Sequence, residues 1–367
     1  MRIELKQVLF PQQKSKIKAG EGKTEGKYKF FTSSPIQSKF VDEANYDKPS
    51  LIFGTGGNAS VHFCDEPFST STDCLVMYGR SETELETIYN YLKSNIGILE
   101  NGFKGAGLKH ISKDYILAIE IDLPSEEIQL EFLQKNRIID GLIEAKQAQL
   151  HLSEELVKSR FIEMFGDVIT NTRGWKQYIF SEIATSRLGK MLDAKQQTGN
   201  NSFPYLANFN VQWFRFDLTS LNQMDFDEED QVEFKLKEGD LLVCEGGEIG
   251  RCAVWHNEMQ PCYFQKALHR VRCNTKVINP NYMAWWFKYN CDHNGFAAIE
   301  GAKATIAHLP GAKLKLLSVT TPPIELQNEF ASFVEQIDKS KFYIVQTQKI
   351  IEILIRAIQY ITKEVLS

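Results

Sequence analysis

Two kinds of hydrophobic pattern alternate along the chain. Short apolar runs occur at Ser50–Phe53, Cys74–Tyr78 and Tyr115–Ile121, and again at Asp240–Cys244 and Leu314–Thr320, with Gly and Pro between them. Runs of that length and punctuation predict β-strands. The second kind is longer. From about Glu126 to Phe165 there is no Pro and one internal Gly, Gly141, before Gly166 stops the run. Glu325 to Leu366 has neither Pro nor Gly. In the first stretch Ile138, Leu142, Ala145, Gln149, Leu152 and Leu156 recur at spacings of 4, 3, 4, 3 and 4. In the second, Phe330, Phe333, Ile337, Ile344, Ile351, Leu354, Ile355 and Ile358 make a broad apolar stripe. These spacings predict helices, each roughly 57 Å long if about 38 residues rise 1.5 Å apiece. Pro124 and Pro322-Pro323 stand where prolines open a helix or end a strand.

The order strand-rich module, helix, strand-rich module, helix is a repeat. "DLPSEEIQLEF" (122–132) returns as "TPPIELQNEF" (321–330). An offset of 198 pairs Pro124 with Pro322, Glu127 with Glu325, Gln129 with Gln327 and Phe132 with Phe330, then His110 with His308 and Ala106 with Ala304. Upstream, "LIFGTGGNAS" (51–60) matches "LLVCEGGEIG" (241–250) at offset 190, and "STDCLVM" (71–77) lies on "QKALHRV" (265–271). Drifting offsets with ordered landmarks indicate a duplicated unit with loop insertions. One small module cannot cover either helical stripe. The economical arrangement pairs the two helices antiparallel, with pseudo-twofold symmetry; the alternative packs each helix on its own module. The expected fold class is α+β. Its segments are 1–123 (first module), 124–166 (first helix), 167–321 (second module) and 322–367 (second helix).

Composition narrows the function classes. Lys plus Arg is 42 and Asp plus Glu is 47, a net charge of −5, which argues against a general polyanion binder but leaves room for local basic faces. The Met1 end lacks an apolar signal core and no run of about 18 apolar residues exists, so neither a secretion signal nor a membrane span is expected. Seven scattered Cys fit reduced thiols in a cytoplasm. "GEGKT" (20–24) ends like a phosphate-binding loop, but Ile17 occupies the position of its first glycine. "NPNY" (279–282) resembles an amino-methyltransferase signature with Asn281 in place of a proline. No CxxC or HExxH spacing supports zinc. The acidic "DFDEED" (225–230) reads as a solvated loop.

The whole chain resembles the specificity subunits of type I restriction-modification systems. The residues that carry the likeness are "GAGLKHISKDYILAIEIDLPSEEIQLEF", its counterpart "GAKATIAHLPGAKLKLLSVTTPPIELQNEF", and the join "KSRFIEMFGD" (158–167) with "GWKQYIFSEIA" (174–184). The resemblance implies a cytoplasmic, prokaryotic, non-catalytic subunit. Its two target-recognition domains would read the halves of a bipartite, asymmetric sequence in double-stranded DNA, and its helices would set the gap. Modification subunits would methylate adenine with S-adenosylmethionine. A restriction subunit would add ATP- and Mg-dependent translocation and cleavage. This chain would bind none of those cofactors. Competing readings are a stand-alone DNA methyltransferase or nuclease, a scaffold unrelated to DNA, and a silent specificity cassette that keeps the fold.

Candidate DNA contacts follow. The first 41 residues hold nine cations and three acidic residues, a local charge of +6. Lys14, Lys16, Lys18, Lys23, Lys27 and Lys29 form either a phosphate-gripping loop or a solvated lysine loop. Thr32 and Ser33, in "FFTSS", suit backbone and base-edge contacts. Thr55, Gly56, Gly57 and Asn58 form a glycine turn that lets backbone N–H groups approach phosphate. Gly246, Gly247 and Arg251 are the counterpart, alongside Gln265, Lys266 and Arg270 of the second basic cluster. Asn208 and Asn210 can pair with adenine edges or serve as turn residues. Lys104, Lys109 and Lys303 complete the set, while His110 and His308 can be structural.

Overall fold

A computed structural model describes residues 2–105, 107, 109–193, 197–296 and 308–365, without the side chains of 348 and 352–365. It divides into two units, Met1–Ala148 with Val345–Ser367, and Gln149–Ile344.

In the first unit β1 (Arg2–Glu4), β2 (Phe10–Pro11), β3 (Tyr28–Phe31), β4 (Lys39–Val41), β5 (Ser50–Gly54), β6 (Ser60–Cys64), β7 (Phe68–Thr70) and β8 (Cys74–Tyr78) come first. Helices α1 (Glu82–Ser94), α2 (Gly97–Glu100) and α3 (Lys113–Leu117), strand β9 (Glu120–Asp122) and α4 (Glu126–Phe165) follow. Ser81 and Ser112 start α1 and α3 by accepting from the Glu84 and Tyr115 amides at 3.2 and 3.1 Å. The strands form sheets ordered β2-β8-β5-β6 and β4-β3-β7, with β1 paired to β9. Central β5 is buried on both faces: Leu51 and Phe53 enter one core cluster and Ile52 the other. That is the two-residue side-chain period of a strand with cover on both sides.

The second unit repeats this plan. Its elements are β10 (Lys176–Ile179), α5 (Phe180–Ile183), β11 (Ala184–Leu188), β12 (Ser202–Leu206), the hairpin β13 (Val211–Gln212) and β14 (Arg215–Phe216), β15 (Asn222–Asp225) and α6 (Glu228–Phe234). Then come β16 (Leu241–Cys244), β17 (Cys252–Val254), β18 (Tyr263–Phe264), β19 (Leu268–Cys273), α7 (Pro280–Asp292), α8 (Gly311–Lys315), β20 (Ser318–Thr321) and α9 (Ile324–Val365). Sheets β11-β19-β16-β17 and β15-β12-β18 and the pair β10-β20 match the first unit strand for strand. Central β16 again splits its side chains, Leu241 and Val243 to one core and Leu242 and Cys244 to the other.

The recurring phrase before each helix has a structural reason. Gln129 is buried and its amide donates to the Pro124 carbonyl at 2.9 Å. Gln327 is buried and donates to the Pro322 carbonyl at 2.7 Å. Proline fixes the entry and glutamine ties the first helical turn back to it, so both residues recur at the same spacing.

The helices are continuous over 40 and 42 residues. In the second unit they meet antiparallel. Phe161 and Phe165, at the end of α4, each lie 5.4 Å from Phe330 near the start of α9, and Arg160 pairs with Glu329 at 2.9 Å. The first part of α4 shares its unit with the last part of α9, the order that antiparallel helices give.

The phase of the α4 stripe differs from the expectation. Ile138, Leu142, Leu152 and Leu156 are 64%, 46%, 65% and 50% exposed. A covered row runs instead through Gln129, Phe132, Asn136, Ile139, Ile143, Lys146, Leu150, Ser153, Val157, Arg160 and Met164, about 100° away around the helix. Its spacings alternate between 3 and 4, the seam of a coiled coil. In α9 the matching positions Gln327, Phe330, Val334, Ile337, Lys341, Ile344 and Ile351 are covered. Hydrophobicity selected the wrong stripe on α4 because the true seam includes Gln, Asn, Lys, Ser and Arg.

Candidate nucleic-acid interface

Loops converge at one edge of each strand module, and main-chain hydrogen bonds hold them. In the first unit the loop after β5 bridges residues 104–110: Gly56 pairs with His110, and the Ile111 amide donates to the Thr55 carbonyl at 3.2 Å. Lys104 pairs with His110 through both backbone groups at 2.9 and 3.0 Å. In the second unit Gly246 pairs with His308, and the Leu309 amide donates to the Glu245 carbonyl at 2.6 Å. The aligned histidines are thus equivalent bridge partners. Gly57 and Gly247 turn the two loops at φ +80° and +81°, a conformation that glycine adopts without the steric cost a Cβ brings.

The next loops repeat too. The Ser71 amide donates to the Phe31 carbonyl at 2.8 Å and the Gln265 amide to the Leu206 carbonyl at 2.9 Å. The Thr72 amide donates to Ile17, and the Lys266 amide to Lys190, both at 2.8 Å. Ser33 and Asn208 therefore occupy matching places. The Ser33 hydroxyl donates to the Asp73 carbonyl at 2.6 Å and accepts from the Gly56 amide at 3.4 Å. Asn208 Nδ2 donates to the Gly246 carbonyl at 3.0 Å. Thr55 also donates to the Asp73 carbonyl, at 2.9 Å. Thr32, Ser33, Thr55, Gly56, Gly57 and Asn58 are so brought together, with Lys104 and Lys109 exposed beside them.

The lysine arm is mixed. Lys14, Lys16 and Lys18 are exposed, and the arm is pinned to the rim by Ile17. Lys23 pairs with Asp42 at 2.5 Å and Lys29 with Glu66 at 3.3 Å. Lys27 lies 5.0 Å from the Tyr28 ring centre. The first three lysines are therefore the cations of the arm best placed to meet phosphate.

In the second unit several expected readers are bonded within the protein. Asn210 is buried, accepts from the Ala207 amide at 2.9 Å, and donates to the Asp217 and Ser220 carbonyls at 2.9 and 3.0 Å. Its amide is spent on the turn and has no donor left for adenine. Arg251 donates to the Asn208 carbonyl at 3.0 Å and lies 3.7 Å from Glu248. Arg270 is buried in β19, where it donates to the Glu233 carbonyl and lies 5.3 Å from the Phe264 ring centre; burial pushes its pKa down. Gln265 is half-buried and Lys266 exposed. Lys303 lies outside the described residues. Two large apolar side chains that the sequence reading did not single out, Ile36 and Phe209, are exposed on the loops that leave β3 and β12. The available signal was a lone apolar residue amid Ser, Pro and Asn.

Among the described residues no group of three His, Cys, Asp or Glu could hold a metal ion, and no helix is long and apolar enough to cross a membrane.

Two copies of one loop-bearing module, each running into a long helix, define a duplicated recognition scaffold. Comparison with known proteins gives its family. The sequence pattern of the type I restriction modification DNA specificity domain matches residues 2–151 and 172–354, and the chain belongs to that family. A protein of Methanocaldococcus jannaschii, named as the MjaX specificity subunit of a type I restriction enzyme, is 24% identical over 151 residues. That match covers 40% of this chain and only 36% of that protein's length. The crystal structure of a type I restriction-modification S subunit from M. genitalium matches with TM-score 0.63 at 14% identity, over 98% of this chain and 94% of that one. A chain from work on complex assembly and conformational transition of the type I R-M system matches with TM-score 0.59, also at 14% identity, over 98% of this chain and 96% of that one. These likenesses establish the shared fold.

Proposed function

We propose that this chain is the DNA-reading subunit of a type I restriction-modification complex. Its two modules read the two halves of a bipartite, asymmetric sequence in double-stranded DNA. Its helices set the unread gap, and the chain assembles modification and restriction subunits. Methyl transfer from S-adenosylmethionine to adenine, and ATP- and Mg-driven cleavage, belong to those partners. This chain binds none of these cofactors and contributes recognition.

One observation carries the reading. The two units share strand order, loop bridges and glycine turns, yet carry different side chains at the rim: Ser33 against Asn208, Thr55 against Glu245, and the exposed Asn58 against the exposed Glu248. A common frame with divergent displayed groups is what reading two different half-sites requires, since base edges are discriminated by the side chains offered to them. Membership of the specificity-domain family supports the same assignment, as does the M. jannaschii relative.

The test is co-expression with a modification partner in a methylation-free host, followed by methylome sequencing. A methylated motif of two unlike halves around a fixed gap is expected. Methylation absent, or confined to a single continuous motif, overturns the reading.

A further inference from the structure

We propose that Ile36 and Phe209 are base-contacting residues, one per module, each recognising a thymine through its 5-methyl group in the major groove. The inference rests on the DNA-reading role above.

Both side chains stand in solvent, Ile36 at 72% and Phe209 at 52% exposure. Each lies in the connection after β3 or β12, close to Ser33 or Asn208, which bonds the glycine-turn loop. Single exposed apolar residues are ordinary on a surface; here the connection after β3 and the connection after β12 each display one, at different positions along the loop, and hydrogen bonds hold both loops. In the first unit the Ile36 amide donates to the Ser34 hydroxyl at 3.1 Å, and His62 Nε2 donates to the Ser34 carbonyl at 2.9 Å. The Gln37 side-chain amide donates to the Lys39 carbonyl at 2.6 Å. In the second unit Asn210 makes its three bonds on either side of Phe209. Gln212 Nε2 donates to the Phe209 carbonyl at 2.9 Å, and Arg251 holds the Asn208 carbonyl.

Most polar groups of these turns bond the backbone, while the apolar side chain stands in solvent on a hydrogen-bonded loop. An apolar group at a reading edge meets little sequence information in phosphate or sugar. What it can distinguish among base pairs is the methyl group of thymine. Preorganised loops also avoid the ordering cost that a mobile contact would pay on binding.

The test uses the chain with its modification partner. Wild-type, Ile36→Ala and Phe209→Ala complexes are mapped by methylome sequencing, and their melting temperatures compared. Each substitution should relax one thymine-containing position, Ile36→Ala in one half-site and Phe209→Ala in the other, with gap and melting temperature unchanged. Deoxyuridine in place of that thymine, in a synthetic duplex of the mapped target, should weaken wild-type binding about tenfold and leave the matching variant's binding unchanged. Unchanged motifs, a relaxed position without thymine, relaxation of both halves by one substitution, or equal deoxyuridine sensitivity in variant and wild type each overturn the inference. Failure of wild type to methylate a bipartite motif overturns the DNA-reading role itself, so the two failures are distinguishable.

Discussion

Truncating Phe161 should destabilise the protein far more than truncating Leu152, although both are large apolar residues of α4. Phe161 is 1% exposed, and its ring centre lies 5.1 Å from Phe165, 5.4 Å from Phe330, 5.8 Å from Tyr282, 5.7 Å from Tyr289 and 6.2 Å from Trp285. It joins both helices to the second strand module. Removing such a ring forfeits its transfer free energy and leaves a cavity between aromatic walls, about 3–5 kcal/mol in all. For a unit of this size that corresponds to a fall in Tm of roughly 10 °C. Leu152 is 65% exposed, and its truncation should lie within about 0.5 kcal/mol of wild type. Urea unfolding of the isolated chain, followed by tryptophan fluorescence, measures both; Trp285 reports directly on the packing around Phe161. Equal costs, or a Phe161→Ala cost below about 1 kcal/mol, would refute this packing of α4 against Phe330 and the second module.

Replacing Lys14, Lys16 and Lys18 with Ala should weaken DNA binding by the assembled complex and lower its salt slope by about 0.9 for each phosphate no longer neutralised; an unchanged slope excludes the arm from the interface. Inserting one heptad after Gln149 and another after Thr347 preserves the seam and lengthens each helix by about 10.5 Å, near three base pairs at about 3.4 Å each. The methylated gap should widen accordingly with both half-sites intact; an active complex with the original gap shows that the helices do not measure it. Burial holds His62 and His269 below the ordinary value of 6.5. As pH falls, the unfolded chain takes up those protons first, so stability is full above about pH 6.5 and declines below it. His269→Gln should flatten that decline in denaturation midpoints measured from about pH 7.5 to 5.5, and an unaltered slope assigns it elsewhere.

The repeat was legible because backbone geometry imposed it. Gly57 and Gly247 recur because a left-handed turn recurs, and Pro124-Gln129 and Pro322-Gln327 because one helix entry is built twice. The short apolar runs marked central β5 and β16, which are buried on both faces. The seam of α4 was hidden, since Asn136, Lys146, Ser153 and Arg160 sit within it while a more apolar stripe faces outward. At the rim, composition located the loops but not the roles. Asn210 and Phe209 are neighbours in one turn, and only the hydrogen bonds reveal which is anchor and which is displayed. Arg270 looked like a surface cation until β19 placed it inside the sheet.

The bridges Gly56–His110 and Gly246–His308 are made by main-chain atoms. Main-chain pairing is indifferent to most side chains, so the residues displayed between the bridges can change without dismantling the loops. Under the DNA-reading role proposed above, stability and target choice are therefore separable traits. A population of related chains should vary most at positions such as 36, 58, 209 and 248, while 57 and 247 remain glycine. New DNA targets would then arise by single substitutions on a frame that is already folded, rather than by building a new domain for each sequence.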